Sequence, residues 1–141
     1  MKARIVILGA GSWGTTFAVL ASRNAEVSLW ARDAALAAQI DTARNNSRYL
    51  PGIALPGRFA AGHDMAALVA RADVLVLGRH SDAARPGPEL AAVDARLGGL
   101  LSRVLAAEKF EGKPGQVSYF FTNGKLPAAR VMVVGLGPRR E

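Results

Sequence analysis

Apolar positions along this chain fall into blocks that alternate between strand-like and helix-like. Residues 3–9, ARIVILG, form a continuous β-branched apolar run ending in glycine, the pattern of a strand buried in a parallel sheet. Residues 12–24 follow with Phe17, Leu20 and Ala21 at helical spacing. Residues 25–31, AEVSLWA, read as a second strand. Residues 33–46 open on a capping aspartate and are rich in alanine, which predicts a helix. Together these make a βαβ unit.

Two prolines and two glycines interrupt residues 47–59, which predicts a loop with a short strand near its end. Residues 64–72 predict a short helix capped by Asp64, and residues 73–78, DVLVLG, a buried strand. After a polar linker over 79–87, residues 88–110 predict one long amphipathic helix. Pro88 suits its first turn, and Leu90, Val93, Leu97, Leu101, Val104 and Leu105 form its apolar stripe. Gly98 and Gly99 cost such a helix about 1 kcal/mol each against alanine, so they mark either close packing or a history in another setting. Residues 116–122 predict a strand with Val117, Tyr119 and Phe121 on one face. Asn123-Gly124 signals a turn, and 129–137 predict a last strand before PRRE, with no helix following to cover it.

Composition narrows the function classes. A chain of 141 residues suggests one domain. Its net charge of +7 is diffuse: residues 1–72 carry 8 basic and 4 acidic groups, and residues 73–141 carry 10 and 7. Such a field favours anionic phosphates generally, while the lack of a basic stripe argues against nucleic acid as the partner. With no cysteine and only His63 and His80, which lack ligand spacing, no metal site is expected. The N-terminus does not read as a signal peptide, and no apolar run approaches the roughly 20 residues that span a bilayer. A cytoplasmic protein without membrane contact is expected.

The chemistry concentrates in Gly9-Ala10-Gly11-Ser12-Trp13-Gly14, a G-x-G-x-x-G between a strand and a helix. Gly9 permits the tight turn, Gly11 lets the backbone approach a pyrophosphate, and Gly14 lets helix and strand pack closely. The helix N-terminus then offers N–H groups to phosphates. A glycine-rich turn with no ligand is the plainer alternative. Where an NAD-selective site places an acid, this chain reads Leu29-Trp30-Ala31-Arg32-Asp33. Arg32 either meets a 2′-phosphate, favouring NADP or dual use, or is a solvated arginine. Asp33 reads as an N-cap rather than a ribose ligand.

Three stretches, ILGAGSWGTTFA, VSLWARD and NNSRYLPGIALP, make residues 1–77 resemble the start of bacterial NAD(P)-dependent glycerol-3-phosphate dehydrogenase. The resemblance implies a Rossmann-type half and maps cofactor contacts onto Ser12 and Trp13 in the phosphate loop, Arg32 near the adenosine ribose, and Tyr49 in the signature loop. Gly9, Gly11 and Gly14 complete the expected set. The family's apolar-proline-serine turn after the fourth strand is replaced here by RHSDAARPG. Its later lysine and its helical C-terminal domain find no match, so no catalytic residue transfers.

Residues 73–141 resemble the N-terminal, non-catalytic domain of leucyl (cytosol) aminopeptidase, on FEGKPGQ (110–116) and RVMVVGLG (130–137). That family's metal site lies in a later domain, so no metal ligands transfer. The two resemblances imply a chimera, engineered or selected, joined near 73–78, with residues 1–77 and 78–141 as halves of one domain. The expected fold class is α/β: a single Rossmann-like three-layer domain with a mostly parallel sheet. Its order is 3-2-1-4 extended by the C-terminal strands, one of them antiparallel. The expected function is a hybrid with no catalytic activity that keeps weak NAD(P) or phosphate binding at the glycine loop. The alternatives are a reduced NAD(P)-dependent glycerol-3-phosphate dehydrogenase and a self-associating interaction module, a homo-oligomer.

Overall fold

The structure is a computed structural model and describes residues 2–85 and 87–139. Pro86 of the expected linker and the last two residues of PRRE lie outside the described residues.

The first apolar run forms β1 (Arg4–Leu8), followed by α1 (Ser12–Ala21) and β2 (Glu26–Trp30). The Asp33 carboxylate accepts from the N–H groups of Ala35 (2.8 Å) and Leu36 (3.3 Å) and so caps α2 (Ala34–Ala38). The helix expected over 33–46 is shorter than its composition suggested. It passes into a π-helical turn at Gln39–Ala43 and stops at Arg44, which is left-handed at φ 58°.

The stretch expected as a loop over 47–59 carries structure of its own. β3 (Asn45–Asn46) pairs antiparallel with β4 (Leu50–Ala54) in a small separate ribbon. The short strand expected near the end of that stretch lies just beyond it, as β5 (Ala60–Gly62). Then come α3 (Met65–Val69) and β6 (Val74–His80).

The long helix expected over 88–110 is instead two helices, α4 (Pro88–Arg96) and α5 (Leu100–Ala107). Gly98 and Gly99 between them both take left-handed conformations, φ 63° and 82°. The pair is therefore a turn rather than a weak point in one helix. The stripe survives the break, because Leu90, Val93, Leu97, Leu101 and Leu105 are all buried. β7 (Val117–Phe121) and β8 (Arg130–Gly137) complete the chain.

Six strands form one sheet in the order β5-β2-β1-β6-β8-β7. Its first four strands realise the expected 3-2-1-4 arrangement, all parallel, with β6 against β1. β8 adds parallel to β6, and β7 is the antiparallel edge. The sheet is thus a mostly parallel, Rossmann-like α/β sheet.

Alternation along the strands feeds two cores. Val6, Leu8, Leu75, Leu77, Val131 and Val133 face α4 and α5, whereas Ile7, Val27, Leu29 and Val76 pack with Ala18, Leu36, Ala37 and Ile40 on the other side. Val117, Tyr119 and Phe121 do share one face of β7, and that face is exposed, while Ser118 turns inward.

Candidate functional site

Residues 9–14 connect the C-terminal end of β1 to α1, where the parallel strands of such a sheet open toward ligands. The N–H of Gly9 donates to the Trp30 carbonyl at 3.0 Å, holding the loop against the end of β2. Gly11 stands at the N-cap of α1, and among the described residues no side chain caps the helix. The first-turn N–H groups therefore lack the acceptor a side-chain cap would supply. A β-carbon on Gly11 would meet nothing within 4 Å. This glycine faces open space, as a backbone meant to be approached closely must. Gly14 is the reverse case: it is buried, and a β-carbon there would overlap the Gly9 carbonyl.

Two clefts meet at this loop. The first, about 360 Å³, is lined by Gly9, Ala10, Gly11, Trp30, Ala31, Arg32, Asp33, Leu36, Arg48, Tyr49 and Glu89. The second, about 960 Å³, runs along Ser12, Trp13, Thr16 and Phe17 to His80, Leu136 and Arg139. Gly11 and Tyr49 line both, so the clefts are continuous across the loop. Of the residues singled out from sequence, Gly9, Gly11, Arg32 and Tyr49 line the first cleft. Ser12 and Trp13 line the second, and Gly14 lies beneath the loop. The Trp13 ring packs edge-on to Phe17, with centroids 6.1 Å apart.

Three residues that sequence reasoning missed organise the first cleft. Asn46 is fully buried; its Nδ2 donates to the Ala10 carbonyl and to Thr15 Oγ1, both at 3.0 Å, and its Oδ1 accepts from the Tyr49 N–H at 3.2 Å. It thus ties the NNSRYLPG stretch to the glycine loop. The doubled asparagine in that stretch was the available signal. Arg48 pairs with Asp33 at 3.0 Å. That guanidinium, with the Ala35 and Leu36 N–H groups, holds the Asp33 carboxyl below the usual carboxylate range. Glu89 pairs with Arg32 at 2.8 Å. The two are 57 residues apart, and no local pattern announces their meeting.

His80 lines the second cleft, its Nδ1 3.1 Å from the Gly137 carbonyl. The His63 carbonyl accepts from Trp30 Nε1 at 2.9 Å. Among the described residues no group of three or more His, Cys, Asp or Glu is placed to hold a metal ion, and no helix is long and apolar enough to cross a membrane.

Strand order, glycine loop and cleft are those of the dinucleotide-binding class of α/β domains. The chain belongs to the NAD-dependent glycerol-3-phosphate dehydrogenase N-terminus family, whose model matches residues 4–91. A second family model, for the N-terminal domain of the cytosol aminopeptidase family, matches residues 74–141, so both resemblances seen in the sequence are present and they overlap. The chain is 52% identical over 77 residues to glycerol-3-phosphate dehydrogenase [NAD(P)+] 2 of Sphingopyxis alaskensis, covering 55% of this chain and 23% of the relative. It is 40% identical over 139 residues to glycerol-3-phosphate dehydrogenase [NAD(P)+] of Methylibium petroleiphilum, covering 96% of this chain and 40% of the relative. Among solved structures it resembles the glycerol-3-phosphate dehydrogenase of Coxiella burnetii (34% identity, TM-score 0.50, 57% of this chain and 25% of that one). It also resembles that of Saccharomyces cerevisiae (25% identity, TM-score 0.55, 70% and 30%). The chain spans about a quarter of the length of the first curated relatives it matches.

These likenesses correct two expectations. The chain was expected to be a hybrid without catalytic activity and not an enzyme. Its relatives are instead named as dehydrogenases, and one of them aligns along nearly the whole chain, through and beyond the expected join at 73–78. The family model likewise continues to residue 91.

Proposed function

We propose that this chain is the dinucleotide-binding portion of an NAD(P)-dependent glycerol-3-phosphate dehydrogenase. The observation that carries the reading is the glycine loop: Gly11 opens onto free space at an uncapped helix N-terminus, between two clefts that join there. A dinucleotide has the matching form, two nucleosides about a central pyrophosphate. Gly9, Gly11 and Ser12 would hold the pyrophosphate through backbone N–H groups and the dipole of α1. Arg32 and Tyr49 would border the adenosine side, Trp13 the nicotinamide side, and Gly14 would keep α1 seated against the loop. When bound in its reduced form, the dinucleotide would supply the hydride, with a proton from solvent, that reduces the carbonyl of dihydroxyacetone phosphate to the alcohol. A cytoplasmic setting belongs to the same proposal.

Organisation follows from the same reading. Residues 1–77 and 78–141 are two halves of one domain that share β6, which pairs with β1 on one side and β8 on the other. Calorimetric titration with NADPH and NADH, on the native chain and on Gly11→Trp, tests the site. Heat that the tryptophan abolishes is expected; equal heats from both proteins would reduce the loop to a scaffold. Oxidation of NADPH that depends on dihydroxyacetone phosphate tests the activity.

A second partner is another copy of this chain. Among the described residues β7 is hydrogen-bonded only to β8; it carries no charged residue and exposes Val117, Tyr119 and Phe121 in one row. An edge of that kind pairs readily with its own copy. Light scattering that finds a monomer at high concentration would remove this reading.

A further inference from the structure

We propose that Glu89 is a specificity-determining residue of the first cleft, selecting an adenosine ribose with a free 2′-hydroxyl over one carrying a 2′-phosphate. The inference rests on the reading of that cleft as a dinucleotide site. Glu89 belongs to the half of the chain beyond the βαβ unit, and the sequence offered only Arg32 as a discriminator.

Arg32 stands two residues past the end of β2, where a dinucleotide fold meets the ribose hydroxyls. An arginine left free there would welcome a phosphate. It is not free: its Nη2 lies 2.8 Å from Glu89 Oε1 at the rim of the cleft. The partners differ in exposure. The Arg32 side chain is 68% exposed, whereas that of Glu89 is 21% exposed and fixed in the first turn of α4. A carboxylate at a helix N-terminus is also favoured by the helix dipole. The arginine can swing away more easily than the acid, so the acid defines the charge an incoming nucleotide meets.

Asp33, the other acid lining this cleft, is already engaged. It caps α2 through two N–H groups and pairs with Arg48. Both oxygens of Asp33 are thus occupied, whereas Glu89 is engaged through Oε1 alone among the described residues, which leaves its Oε2 to accept a ribose hydroxyl, the task the end of β2 lacks a side chain for. A 2′-phosphate entering the same place would face that carboxylate and would have to separate the ion pair. Such like-charge opposition is a common way to reject a close competitor.

The test is a pair of dissociation constants, for NADH and NADPH, on the full chain and on Glu89→Gln, with thermal melts confirming that both are folded. The native chain is expected to bind NADH more tightly. Glu89→Gln is expected to tighten NADPH about tenfold relative to NADH, and adding Arg32→Ala should erase that gain. Titration with AMP and adenosine 2′,5′-bisphosphate reads the same preference without the nicotinamide half. A native chain that favours NADPH overturns the proposal without needing any variant, as does an unchanged ratio in Glu89→Gln. Either result leaves the dinucleotide site standing. Failure of the native chain to bind either nucleotide at millimolar concentration overturns both the proposal and the site.

Discussion

Gly14 lies against the carbonyl of Gly9 with no room for a β-carbon between them. The obstacle is backbone at the tightest point of the loop, so a flexible side chain cannot yield to make space. Gly14→Ala is expected to push α1 away from β1 and cost about 2 kcal/mol, read as a lower urea midpoint with unchanged slope. Gly11→Ala meets open space and has an ordinary φ of −72°, so its midpoint should stay within about 0.5 kcal/mol of the native chain. The two glycines of one motif thus separate by assay: Gly14 through stability, Gly11 through nucleotide affinity.

Asn46 joins two loops far apart in sequence. Asn46→Ala would leave the buried Thr15 hydroxyl and the Ala10 carbonyl without their shared donor. A loss of about 2 kcal/mol is expected. Hydrogen exchange should quicken in both the glycine loop and residues 45–54, because the same side chain holds both. Exchange that quickens only around residue 46 would show that the loops are not tied through it.

Acid should loosen the start of the sheet. Asp73 accepts from the Arg4 side chain (3.1 and 3.3 Å) and from its N–H (2.8 Å), joining the beginnings of β1 and β6. These contacts, the side-chain bond first, hold the Asp73 carboxyl below its ordinary value. The folded-state pKa is depressed, so the pair stabilises the fold above the unfolded carboxylate value of about 3.9, and that contribution drains away as pH falls through the lower folded value. Asp73→Asn should flatten the stability profile over that acidic window and change its shape little near neutrality. The pair is half exposed, so added salt should shrink the difference.

The turn between α4 and α5 reverses the usual effect of alanine. In one continuous helix, Gly99→Ala would stabilise by about 1 kcal/mol. Here Gly99 sits at φ 82°, with Arg103 Nη1 3.2 Å from where a β-carbon would stand. The substitution should destabilise by about 1 kcal/mol. A chemical melt gives the sign directly, and a stabilised variant would mean that the two helices fuse.

How much was legible in the sequence depended on whether the signal was local. β1, β2 and β6 appeared as apolar runs because strands buried on both faces need apolar side chains at nearly every position. Asp33 as a cap and the loop around Gly9, Gly11 and Gly14 were legible because capping and tight turns act over a few residues. The α4–α5 break was misread because two glycines in a helical pattern fit either a costly helix or a left-handed turn, and only the packed position of each helix separates the two. The row of Val117, Tyr119 and Phe121 on β7 was legible as one face, but its exposure was not. Alternation names a face, but the neighbouring layer decides whether that face is covered.

By itself, the sequence determined the parallel strands and the glycine loop, since apolar period and turn chemistry are properties of neighbouring residues; the order of the first four strands was legible only through the Rossmann-type fold that the resemblance implies. Tertiary structure alone decided that β8 separates β6 from β7, that Asn46 anchors the loop, and that Arg32 faces Glu89. Each of these is a meeting of distant segments, fixed by how the layers pack around a shared sheet and written in no single stretch of the chain.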